Sequence, residues 1–233
     1  MIYDAIVLGT GGVGSAALYH LAKRGARVLG LDRFPGGHDR GSSHGDTRII
    51  RLAYYEHPDY VPLLRRAYEL WAELERTVDE RLYHQVGLLE AGPLDGELVP
   101  GVLRCAREHR LDLESLDAAE LTRRFPGFRL PEGCQAVFER QAGFLRVERC
   151  VLAHLRAAQA HGAEHRTGVD VSGWRYTASP IGSPTGSSAD AAVGGLAANA
   201  DAGRMAEAST DSGVITVQTS LGAIATRRLV ITP

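Results

Sequence analysis

The 233-residue chain, 44% hydrophobic, is sized for one large packed domain or two small ones. Its net charge of -2 provides no broad basic field, which argues against nucleic acid or an anionic membrane surface as a partner and leaves a small molecule as the expected one. No apolar run approaches the ~20 residues of a spanning helix, and the start "MIYDAIVLGTGG" lacks the basic lead and cleavage site of a signal peptide, so a cytoplasmic protein is expected.

In chain order, Asp4 to Leu8 is a short apolar run ending at glycine, the pattern of a buried parallel strand. A helix follows from Gly14 to Arg24, with Ala17, Leu18, Leu21 and Ala22 on one face and Gly25 placed to end it. The run "ARVLGLD" reads as a second strand reaching Asp32. Strand, glycine turn, helix and strand within about thirty residues is the right-handed unit of a doubly wound sheet.

The next stretch, "RFPGGHDRGSSHGDTRIIRLAY", is too polar and glycine-rich for a core element. Between Tyr60 and Val78 the residues Leu63, Leu64, Ala67, Leu70, Trp71 and Leu74 recur at helical spacing, with Arg65, Arg66, Glu69 and Glu73 on the wet side. From Leu82 to Phe144 short strand-like pieces ("YHQVGLLEAG", "CQAVFER") surround a helix around Gly101 to His109, suggesting an inserted domain. A helix from Val147 to Ala160 leads to a strand ending near Val171 and Trp174. Residues 177–213 are rich in Ala, Gly, Ser and Asp, bury too little apolar surface to offset ordering, and read as a flexible loop. The last twenty residues predict a hairpin about a Leu-Gly turn, and the chain stops inside or just after a strand. Cys105, Cys134 and Cys150 fit neither a disulfide framework nor a zinc site and are expected as packed thiols, with no metal.

Gly9, Gly11 and Gly14 form G-x-G-x-x-G, weak as a pattern alone but here placed between a strand and a helix. The first glycine permits the tight turn, the second close approach to a pyrophosphate and the third helix-to-strand packing, while the helix N-terminus offers free N–H groups. Asp32, eighteen residues beyond Gly14, suits a ribose hydroxyl. This fingerprint does not separate NAD from FAD, and Arg33 leaves a 2′-phosphate open. In "GSSHGDTRIIRLAY", Ser42, Ser43, His44, Thr47, Arg48 and Arg51 concentrate donors and positive charge directly after the nucleotide unit. The bland reading is a hydrated basic loop.

The stretch "GSSHGDTRIIRLAYYEHPDYVPLLRRAYELWAELE" resembles the monomeric sarcosine oxidase and N-methyltryptophan oxidase family, flavoproteins of the D-amino-acid-oxidase-like group. The likeness extends through "YDAIVLGTGGVGSAA", "RRFPGFRLPEGCQAVFERQAGFLRVERC" and "RRLVITP". It implies an α/β fold: a FAD-binding Rossmann-like doubly wound sheet over 1–80 and 145–233, an inserted α+β substrate domain beginning over 81–144, and a chain incomplete at its C-terminus. By the same resemblance Gly9, Gly11, Gly14 and Asp32 hold the adenosine diphosphate, Ser43, His44, Thr47 and Arg48 lie along the flavin, and Val171 meets the adenine end.

Arg51 would bind the substrate carboxylate and, with Arg48, carry the chemistry. The implied reaction is oxidative demethylation of an N-methyl amino acid or related amine, with O2 giving H2O2 and formaldehyde. The family's covalent flavin cysteine is expected beyond Pro233, none of the three cysteines here being in its place. Two alternatives stand beside this reading: a truncated nucleotide-binding remnant without catalysis, and a NAD(P)-linked dehydrogenase. Neither the particular amine nor the oligomeric state is legible.

Overall fold

The computed structural model describes residues 1–178, 193–194, 208–209 and 213–232. The chain divides into two compact units, one made of Met1–Asp46 with Val147–Pro233, the other of Thr47–Arg146.

The first unit is built on the predicted strand–helix–strand. Strands Ala5–Leu8 and Val28–Leu31, buried along their whole length, pair in parallel across helix Gly12–Lys23. Their sheet continues in parallel to Glu164–Arg166 on one side and to Arg228–Ile231 on the other, which puts the turn after Leu8 at the centre of the sheet's C-terminal edge. Such edges, where crossovers leave in opposite directions, are where open α/β sheets bind ligands. A second sheet, ordered Ile2–Tyr3, Gly222–Thr226, Gly213–Thr219, Val171–Ala178 and Val193–Gly194, packs on it. The apolar core between them holds Ile6, Leu8, Leu29, Leu31, Ile215, Val217 and Leu229.

Helix Gly12–Lys23 starts two residues before the predicted position, and its buried stripe is Gly14, Ser15, Leu18, Tyr19 and Ala22. Ala17 and Leu21 are only half-buried, because Tyr19 faces helix Val147–Ala160, its ring 5.9 Å from that of His154. The C-terminal stop is as read: Gly25 takes φ +81 and donates its N–H to the Ala22 carbonyl. The closing hairpin is present, with Thr219 opposite Gly222. Of the expected loop over 177–213, Thr177, Ala178 and Gly213 extend strands and 193–194 and 208–209 are short strands; the rest lies outside the described residues. Trp174 therefore lies inside a strand that runs on to Ala178.

His154 has a measurable consequence. Burial, together with the neighbouring His20, lowers its pKa from 6.5 to about 4. The folded state thus favours the neutral ring: this contribution to stability is full above pH 6.5 and is lost as pH falls toward about 4, by about 3 kcal/mol in all. Urea unfolding between pH 7 and pH 4 should show His154→Leu losing that much less stability than the parent protein; parallel curves for the two proteins would dismiss the effect.

The second unit carries two three-stranded antiparallel sheets, Thr47–Ile50, Gly143–Arg146 and Tyr83–Gln85 in one, Leu88–Pro93, Cys134–Glu139 and Leu113–Leu116 in the other. Three helices accompany them: Tyr60–Val78, Leu98–His109 and Ala118–Arg124. Three sequence expectations change here. The apparently core-free stretch contains strand Thr47–Ile50, an edge strand whose only buried residue is Ile50, so its polar composition masks it. The run "YHQVGLLEAG" breaks at Gly87, whose φ of +78 turns the chain from one sheet into the other.

The first boundary falls at Asp46/Thr47 and not at residue 80, so helix Tyr60–Val78 belongs with the second unit. Glu75 on that helix accepts the N–H groups of both Leu82 and Tyr83 at 2.7 Å, fastening it to the strand that follows. On the helix itself only Val61 and Leu74 are buried, and Leu63, expected on the apolar face, is exposed. None of the three cysteines forms a disulfide; Cys105 and Cys150 are buried, Cys134 half-buried, and burial pushes the Cys105 thiol up.

Candidate functional site

The first unit contains a cleft of about 400 Å3 at the C-terminal edge of its parallel sheet. Its floor is the glycine turn Gly9–Gly14; Asp32, Arg33 and Phe34 form one side, Gly41, Ser42 and Ser43 another, and Val151, Val169, Val171, Ile231 and Thr232 supply apolar and backbone walls.

The turn is shaped by close packing. A Cβ on Gly9 would come 2.2 Å from the Thr232 carbonyl oxygen, and one on Gly14 would come 1.8 Å from that of Gly9. Gly11 differs: its φ of -69 suits any residue, and a Cβ there would meet nothing closer than Ser43 Oγ at 3.5 Å. The protein's own packing does not require glycine at position 11, whereas a group seated against the backbone would. Helix Gly12–Lys23 has no acid in its first turn and no side-chain cap from its N-cap residue, and its first residues Gly12, Val13 and Gly14 line the cleft, with the Gly12 N–H donating to Ser43 Oγ at 2.9 Å. Backbone donors, a helix terminus and an unexplained glycine fit a dinucleotide pyrophosphate.

Asp32 is 9% exposed and well anchored. Its Oδ2 accepts the Thr10 N–H at 2.6 Å and the Thr10 hydroxyl at 3.0 Å, and its Oδ1 accepts the Phe34 N–H at 2.9 Å. Since the single Thr10 hydroxyl proton points to the carboxylate, the contact of His165 Nε2 to Thr10 Oγ1, at 3.0 Å, must be donated by His165. Burial lowers the His165 pKa against the pull of Asp32. The acid is thus fixed in orientation, with both lone pairs of Oδ2 engaged by Thr10 and one on Oδ1 left for a hydroxyl. Thr10 and His165 escaped the sequence reading, since nothing local marks a residue 155 positions away as a partner.

The predicted site residues separate into two groups. Gly9, Gly11, Gly14, Asp32, Ser43 and Val171 all line the one cleft. His44 does not: it is exposed, and its Nδ1 bonds the Gly41 carbonyl, folding back on its own loop. That loop ends at Gly45 and Asp46, both at positive φ, where the Glu148 carboxylate accepts the two N–H groups at 2.7 and 3.2 Å. Burial pushes Glu148 up, but these N–H donors outweigh it and hold its pKa low.

Thr47, Arg48 and Arg51 belong to the second unit. Thr47 and Arg48 lie on strand Thr47–Ile50, with Arg48 exposed and donating from Nη1 to the Thr47 carbonyl at 2.7 Å. Arg51 follows the strand. Its guanidinium lies 4.3 Å from the Tyr54 ring centre, and its Nε is 3.6 Å from Glu90 Oε1. The backbone just past it is held by the buried Glu139, which accepts the N–H groups of Leu52 at 2.7 Å and Ala53 at 3.0 Å. Glu90, Tyr54 and Glu139 also escaped the sequence reading; a buried acid in a strand ("FER" or "LLEAG") was the available signal. Among the described residues no cluster of three or more His, Cys, Asp or Glu could hold a metal, and no helix is long and apolar enough to cross a membrane.

A family model described as FAD dependent oxidoreductase matches residues 4–229. A monomeric sarcosine oxidase of Streptomyces avermitilis is 49% identical over 162 residues, 70% of this chain and 42% of the relative. An N-methyl-L-tryptophan oxidase of Salmonella arizonae is 41% identical over 162 residues, 70% of this chain and 44% of that one. The chain thus matches less than half the length of these relatives. Among solved structures, the open form of NikD, an unusual amino acid oxidase essential for nikkomycin biosynthesis, superposes with a TM-score of 0.74 at 27% identity, covering 99% of this chain and 51% of that one. A glycine oxidase from Geobacillus kaustophilus shares the fold at 20% identity, with a TM-score of 0.69, 99% of this chain and 55% of the other.

Proposed function

This chain belongs to the FAD-dependent oxidoreductase family, and from that premise we propose that it serves a sarcosine-oxidase-type amine oxidase acting on an N-methyl amino acid or a related small amine. The observation that carries the reading is the cleft over Gly9–Gly14, whose donors, anchored acid and unexplained glycine suit an adenosine diphosphate, in a chain 49% identical over 162 residues to a monomeric sarcosine oxidase. Of the two cofactors the fingerprint left open, the family match favours FAD over NAD(P).

In this reading the N–H groups at the start of helix Gly12–Lys23 take the pyrophosphate, Asp32 a ribose hydroxyl, and Val171 an apolar contact at the adenine. Ser43, His44, Thr47 and Arg48 serve the flavin end, Arg48 by placing a fixed positive charge where negative charge arrives. Arg51 binds the substrate carboxylate and orients the amine, converting part of the barrier into binding. When bound, FAD supplies the two-electron acceptor for the N-methyl C–N bond, with O2 reduced to H2O2 and water releasing formaldehyde from the imine. We assign the covalent flavin attachment to a cysteine outside this chain, and the protein to the cytoplasm.

The test is a flavin spectrum of the protein from its own cells, before and after acid precipitation, with peroxide measured on adding sarcosine and other N-methyl amino acids. Yellow colour retained on the precipitate and substrate-dependent peroxide are the expected results. A colourless protein that ignores FAD and binds NADH would overturn the proposal.

A further inference from the structure

The open lone pair of Asp32 has a neighbour that the cofactor reading leaves unused. His38, another residue of the cleft wall, brings its Nε2 to 3.7 Å from Asp32 Oδ1, too far for a hydrogen bond but close enough for one small polar group to touch both. Three contacts hold the imidazole there. Its Nδ1 accepts the Arg40 N–H at 3.0 Å, the Phe34 ring centre lies 5.1 Å away, and a Cβ on Gly41 would meet its Cε1 at 3.5 Å. An Nδ1 that accepts a hydrogen bond carries no proton, so Nε2 bears the N–H of this ring.

Asp32 on the other side of the gap is fixed as an acceptor by Thr10 and by the Phe34 N–H. The cations beside it in sequence are turned to other acids, Arg33 Nε lying 2.7 Å from Asp170 Oδ1 and Arg40 Nε 3.4 Å from Asp39 Oδ1. The gap is therefore edged by one donor and one acceptor. A phosphate or carbonyl oxygen only accepts and an ammonium only donates, whereas an alcohol does both from a single atom. An alcohol oxygen about 2.8 Å from each group would span the 3.7 Å between them. We propose that His38 is a ribose-binding residue of this cleft, its Nε2–H donating to the same hydroxyl that donates to Asp32 Oδ1. This rests on the reading of the cleft as an adenosine diphosphate site. His38 turns a carboxylate open to any donor into a pair that selects a hydroxyl.

Adenosine diphosphate and its 2′,3′-dideoxy analogue differ only in the ribose hydroxyls, so the ratio of their affinities reports this contact and is insensitive to a general loosening of the cleft. Both can be titrated by calorimetry into the intact flavin-free protein, made in riboflavin-starved cells, and into His38→Phe and His38→Gln. Phenylalanine keeps a ring against Phe34 and Gly41 without the donor, whereas glutamine places an amide N–H where Nε2 stood. The parent protein should prefer adenosine diphosphate by about tenfold or more, two hydrogen bonds being at stake, one of them to a carboxylate. His38→Phe should cut that preference by about fivefold while binding the dideoxy analogue within about twofold of the parent, and His38→Gln should recover part of it. His38→Leu replaces the phenylalanine variant if that protein does not fold. A preference left intact in the variant without the donor, including one in which both nucleotides weaken equally, would overturn the role of His38 alone. A parent protein that binds neither nucleotide, or both equally, would overturn the ribose reading of Asp32 and the inference with it.

Discussion

Replacing Arg51 with methionine in the holoenzyme is expected to raise KM for a carboxylate-bearing amine by roughly 10²- to 10³-fold, because removing one partner of a desolvated, charge-assisted contact costs about 3–5 kcal/mol. Methionine keeps an unbranched apolar side chain of similar reach while removing the guanidinium that lies over the Tyr54 ring. The loss should appear chiefly in KM, with kcat falling less than about tenfold, if the guanidinium holds substrate and transition state alike. Glu90 then loses the one positive charge that lowers its pKa and takes up a proton more readily, which spares the variant an unpaired buried anion. An amine substrate lacking a carboxylate provides the control, since its KM should hardly move. Unchanged steady-state kinetics with the carboxylate substrate would remove Arg51 from the site.

Alanine at the second and third glycines of the turn should produce opposite failures. At Gly14 the new Cβ would lie 1.8 Å from the Gly9 carbonyl oxygen and 2.5 Å from Thr232 Oγ1. Neither can retreat easily, because Thr232 Oγ1 donates to that same carbonyl at 2.7 Å. Gly14→Ala should therefore destabilise the first unit by about 3 kcal/mol or more, seen as a lowered thermal midpoint without any ligand. At Gly11 an added Cβ makes only ordinary contact with Ser43, so stability should stay within about 0.5 kcal/mol of the parent protein. FAD affinity should nevertheless fall at least tenfold, because the methyl would occupy the space in which the pyrophosphate approaches the backbone. A Gly11→Ala protein that binds FAD normally in a fluorescence titration would mean that the cleft holds something else.

The contrast between these two glycines shows where a sequence stops being informative. Both are equivalent members of one spacing pattern, and the motif assigns them different duties only by analogy. The distances to Thr232, at the other end of the chain, supply the physical distinction. Similarly, Asp32 is legible from its place after a strand, but its orientation depends on Thr10 and, through it, on His165.

By itself the sequence determined what depends on neighbours along the chain. Apolar periodicity sets helices Tyr60–Val78 and Val147–Ala160, and the glycine turn between two buried strands sets the nucleotide unit, because backbone preference and side-chain alternation act over a few residues. Tertiary structure decided what depends on residues meeting from afar. It divided the run around Gly87 between two sheets, moved helix Tyr60–Val78 out of the nucleotide unit, and recruited the polar edge strand Thr47–Ile50. It also placed Glu90 beside Arg51, thirty-nine positions away in sequence. The pairing of such residues is set by which strands the topology makes adjacent, and the burial that gives their charges weight exists only once the surrounding layers have closed over them.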